Sequence, residues 1–77
     1  MKLTEDLRFY IREIERYIKA LDGSKGKFND PERDKAIDDK LAVFRDALKQ
    51  LQEAQAENIY DEIEQAIANA KDVIKNY

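Results

Sequence analysis

Leu7, Ile11, Ile14, Ile18 and Leu21 recur at alternating steps of four and three residues, with charged positions filling most of the gaps. That spacing lines up one face of an α-helix and matches no strand. Tyr10 and Tyr17 widen one edge of the stripe. Thr4 reads as the N-cap, with Glu5 and Asp6 placing negative charge in the first turn. Gly23, able to take a left-handed conformation, reads as the stop. The pattern predicts a first helix over about 5–22.

The only glycines, Gly23 and Gly26, and the only proline, Pro31, fall together in the stretch DGSKGKFNDP from Asp22 to Pro31. Such clustering marks a loop. At its end, Asp30 can accept hydrogen bonds from free backbone N–H groups, and Pro31 suits the first helical position. A second stripe then runs through Ile37, Leu41, Phe44, Leu48 and Leu51, with Ala36, Val43, Ala47 and Ala54 as a small-residue shoulder.

No glycine or proline interrupts the chain after Pro31, yet the apolar phase breaks. Continuing the second stripe would bury Gln55, Asn58, Glu62 and Gln65. The apolar residues are instead Ile59, Ile63, Ile67, Ala70 and Ile74, a face rotated by roughly 75° at about 100° per residue. The break predicts a tight turn at 54–58. Asn58 reads as a new N-cap, and Asp61 three residues on resembles a capping box. Helices over about 5–22, 31–54 and 59–76 form an all-α, up-down-up three-helix bundle, a single helical domain over 1–77. The alternative is a helical hairpin whose second helix runs unbroken for about 45 residues; its uncovered apolar surface would demand a dimer.

Composition narrows the function classes. The 77 residues contain neither Cys nor His, which removes disulfides, the usual zinc, haem and iron–sulfur ligands, and Ser/His/Asp or Cys/His catalysis. Ser24 and Thr4 are the only side-chain aliphatic hydroxyls, and the carboxylate pairs Glu13/Glu15, Asp38/Asp39 and Glu62/Glu64 read as solvated faces. The expectation is no enzyme activity and no cofactor. The twelve residues from Asp22 to Arg33 have the length of an EF-hand loop, but Gly26, Lys27 and Arg33 stand at its fifth, sixth and twelfth positions, where a ligand, glycine and glutamate belong. Ser24-Lys25-Gly26-Lys27 lacks the spacing of a phosphate-binding loop. A net charge of −3, from 14 basic and 17 acidic residues, disfavours general affinity for nucleic acid or anionic lipid. With no long apolar run and no Cys, the expectation is a cytoplasmic protein without a membrane span.

Two surface features remain. Phe9 lies on the back of the first helix, roughly 160° from the centre of its stripe, beside Arg8, Arg12 and Arg16. Aromatic and Arg side chains together are enriched at binding hot spots. The competing readings are cover by Phe28 from the loop, and incidental exposure. The second feature is acidic: Glu57, Asp61, Glu62, Glu64 and Asp72 outnumber Lys71 and Lys75 over residues 55–77, with Glu57, Asp61 and Glu64 as a face able to steer a basic partner. Together these point to a non-enzymatic protein-binding module, such as an inhibitor, immunity, adaptor or regulatory factor, acting as a monomer. A helical assembly component and a designed bundle are the alternatives, with a homodimer as the alternative state.

Overall fold

The computed structural model describes residues 2–27 and 29–76. Three helices make up almost all of this: α1 (Lys2–Ser24), α2 (Pro31–Glu57) and α3 (Tyr60–Asn76). Each packs against the other two, an all-α three-helix bundle. The direction of each helix follows from cross-helix pairs. Tyr17 stacks on Phe44 and Lys25 pairs with Asp38, so α1 and α2 are antiparallel. The Asn69 side chain donates to Gln50 at 2.8 Å, which ties α3 to α2. The chain therefore runs up, down and up.

The core is built from the predicted stripes. Leu7, Ile14, Phe44, Ala47, Leu51, Ala54, Ile63, Ala66, Ile67, Ala70 and Val73 form one buried cluster. Ile37 and Leu41 are buried nearer the loop, outside that cluster. The buried alanines Ala47 and Ala54 of α2 and Ala66 and Ala70 of α3 are the cluster's small members, while Phe44 of α2 stacks on Tyr17 of α1. Leu3, Tyr10, Ile11, Ile18, Leu21, Val43, Leu48 and Ile74 pack as half-buried edges. Among the described residues no polar or charged side chain is buried. Hydrophobic burial and helix hydrogen bonding thus hold the fold, with ion pairs confined to the surface.

Several local expectations need correcting. Thr4 lies inside α1 rather than capping it, because Leu3 packs on the core and draws the helix back to Lys2. Gly23 is helical; α1 ends at Ser24, and the left-handed glycine is Gly26, at φ 82°. Ala36 is exposed, so the small-residue shoulder begins only at Val43. The deepest residue in the last turn of α3 is Val73, with Ile74 at the edge.

The largest correction concerns the second connection. α2 runs on to Glu57, and Asn58 is its C-cap rather than the N-cap of α3. Its backbone is left-handed, φ 57° and ψ 38°, and its N–H donates to the Ala54 carbonyl at 2.9 Å. Asparagine tolerates this region better than other residues with a Cβ, so one side chain can serve either end of a helix. Ile59 then takes the N-cap place, its carbonyl accepting from the Ile63 N–H at 3.0 Å. Its side chain consequently turns outward, 50% exposed, instead of joining the α3 stripe.

The first connection is built as the sequence implies. The Asp30 carboxylate accepts from the backbone N–H groups of Glu32 and Arg33 at 3.1 and 3.4 Å, with Pro31 opening the helix. Asp34 accepts from the Gly26 N–H at 3.1 Å, and Lys25 meets Asp38 at 2.7 Å. These contacts fold the loop down onto the first turns of α2.

The helices are unequal. At 1.5 Å per residue, α2 is about 40 Å long and α3 about 25 Å, in a molecule whose longest dimension is 45 Å. Counting on from the Asn69–Gln50 pair, α3 reaches its end at Asn76 roughly level with Val43.

Candidate partner-binding surface

Among the described residues no cluster of carboxylates could hold a metal ion, and no buried side-chain polar atom lacks a hydrogen-bond partner. Chemistry-bearing groups all stand on the outside of the bundle, so the surface is where a site has to be sought.

Phe9 projects from the back of α1 and is 55% exposed. Its ring meets Tyr10 edge to face, centroids 5.2 Å apart at 86°. Tyr10 is half-buried, and the Lys71 ammonium of α3 stands 5.9 Å from the centre of its ring. Phe9 is therefore the outermost member of a row that steps from solvent through Tyr10 to the α1–α3 seam. The proposed cover by Phe28 rests on a residue outside the described part. Phe9 lies fifteen residues before the end of α1, about 22 Å along the axis from the loop.

The arginines around Phe9 are exposed. Arg8 and Arg12 make no ion pair among the described residues, whereas Arg16 meets Glu13 at 3.1 Å, one turn back. That pair is weak, since the Arg16 side chain is 80% exposed and the geometry is a single contact. The structure thus places Phe9, Arg8, Arg12 and Arg16 along one side of α1, with the first two guanidinium groups unengaged.

The acidic face is divided. Asp61 and Glu64 are exposed on the outside of α3, beside Ala68. Glu57 instead faces across the turn toward Glu62 and Glu53, around a small depression of about 250 Å³ that Gln50 and Gln65 also line. A hydrogen bond shared with Glu57, then lost hydration and the charges of Glu57 and Glu53, raise the Glu62 carboxyl above its usual value. Glu57 belongs with Glu62 more than with Asp61 and Glu64.

Two exposed groups were not legible as surface from the stripe pattern. Ile59 and Tyr60 project from the second turn, Tyr60 57% exposed. The Asn at 58 was the signal for them, once read as a left-handed helix end. Tyr17, at the edge of the α1 stripe, stacks flat on Phe44, centroids 5.3 Å apart at 11°, yet keeps 37% of its surface open.

Comparison with known protein families, with curated proteins and with solved structures returned no match.

Proposed function

We propose that the chain is a non-enzymatic protein-binding module that engages its partner through Phe9 and the flanking Arg8, Arg12 and Arg16. The observation that carries this reading is the half-exposed Phe9 ring on the back of α1, outside the buried cluster. An aromatic side chain offers about 150–250 Å² for burial, and roughly half of that is still open on Phe9. Covering about 100 Å² at roughly 25 cal/mol per Å² is worth about 2.5 kcal/mol, the scale of a binding hot spot. Arg8 and Arg12, which make no ion pair among the described residues, can clamp partner carboxylates in bidentate fashion and fix orientation. The free protein gives up little, because these guanidinium groups stay hydrated.

The test is a quantitative affinity capture from the source cells with the wild-type chain beside Phe9→Ala. A protein partner retained by wild type and depleted at least tenfold by Phe9→Ala supports the reading. Identical protein profiles for the two baits refute it.

A further inference from the structure

We propose that the Phe9 surface extends up α1 through Glu13, Tyr17 and Ala20, and that this strip docks an amphipathic partner helix with an acidic border. The proposal rests on the protein-binding reading above and specifies its partner.

Steps of four, four and three place Phe9, Glu13, Tyr17 and Ala20 on one stripe of α1. Near Tyr17 this stripe passes over the α1–α2 contact, where the Tyr17 ring stacks on Phe44. A shallow groove of about 480 Å³ opens there, lined by Glu13, Arg16, Tyr17, Lys19 and Ala20. Its floor is apolar and firm: Tyr17 is stacked on the buried Phe44, and Ala20 presents only a methyl group. Phe9 and Tyr17 are eight residues apart, about 12 Å along the axis. That matches apolar anchors two turns apart on an opposing helix. The described residues contain no strand, and so no sheet edge for an extended peptide to join. A helix lying beside α1 would complete a four-helix arrangement.

The charges select the partner's sign. Between residues 8 and 20, Arg8, Arg12, Arg16 and Lys19 outnumber Glu13 and Glu15, in a chain of net charge −3. The four cations follow one another at helical spacing along one border of the stripe. Arg8, Arg12 and Lys19 have no ion pair among the described residues, and Glu13 is already held by Arg16. On the other border Lys71 stands over Tyr10. A docked helix therefore meets cations on both flanks, and carboxylates bordering its apolar stripe would pair with them.

The experiment is selection of a displayed library of 18-residue helical peptides, all positions of the binding face randomised, against the full chain. Enriched peptides should carry large apolar residues two turns apart, bordered by Asp and Glu. Ala20→Gln fills the groove from an exposed position without adding charge and should weaken them at least tenfold with its melting temperature unchanged. Arg12→Glu with Lys19→Glu should weaken them similarly, and more at low salt. Ala68→Arg, on the exposed side of α3, should leave them unaffected. Peptides weakened by Phe9→Ala but not by Ala20→Gln would overturn the groove and leave the Phe9 reading standing. Peptides indifferent to both would overturn both. Enrichment without acidic borders, or no enrichment, would overturn the proposal.

Discussion

Phe44→Ala is the sharpest perturbation of the fold. Phe44 is 1% exposed, lies in the buried cluster and carries the Tyr17 ring on one face. Truncation removes about 150 Å² of buried ring surface, about 4 kcal/mol at roughly 25 cal/mol per Å². Measured Phe→Ala costs in cores run at about 3–5 kcal/mol because the cavity closes only in part. Loss of the stack adds about 0.5–1.5 kcal/mol. A domain of this length has only about 4–12 kcal/mol in total, so the variant should be at the edge of unfolding. At about 4–8 °C per kcal/mol for this size, the melting temperature by circular dichroism should fall by at least about 15 °C. Phe44→Leu retains most of the volume and should cost under about 1.5 kcal/mol. A Phe44→Ala variant within about 1 kcal/mol of wild type by urea titration would refute the packing of α1 on α2 described above.

Substitutions at three further positions probe the ends of the helices. Glu62→Gln keeps the hydrogen bond to Glu57 without the second charge. Because folding raises the Glu62 carboxyl above its usual 4.5, its favourable contribution is complete below that pH and lost as pH rises through the raised value. Glu62→Gln should therefore melt above wild type at pH 7, with the gap closing on acidification below about 4.5; a gap independent of pH would contradict this. Asp30→Ala removes the acceptor for the Glu32 and Arg33 N–H groups and should cost about 0.5–2 kcal/mol in chemical denaturation. Asn58→Val forces a β-branched residue to φ 57° and should cost about 1–2 kcal/mol, while Asn58→Gly should stay close to wild type; equal effects would mean the turn is not left-handed.

How much of this was readable in the residues varies with the physics behind each feature. Core stripes were legible because burial imposes a strict helical period: Leu7, Ile14, Phe44, Leu51, Ile63 and Ile67 are all buried where their spacing put them. The phase break between Leu51 and Ile63 required a turn, and one is present. The role of Asn58 was not legible, since an asparagine before an acidic first turn suits an N-cap as well as a left-handed C-cap. The left-handed backbone of Asn58 and its N–H bond to Ala54 separate the two, and with Asn58 ending α2 the Ile59 side chain leaves the α3 stripe. On the surface, the exposure of Phe9 followed from its helical phase. The groove beside Tyr17 did not, because it depends on how the Tyr17 ring lies against Phe44 of α2, a contact that no single stripe encodes.

The central claim is that the Phe9 side of α1 serves binding and not folding. Melting temperature and partner affinity measured on one Phe9→Ala preparation test it most directly, using the partner recovered by affinity capture. A melting temperature within about 2 °C of wild type is expected, as for a surface change of under about 0.5 kcal/mol. Affinity should weaken by about 1–3 kcal/mol, or roughly 5- to 150-fold. A large loss of thermal stability with affinity intact would assign Phe9 to packing and contradict the account.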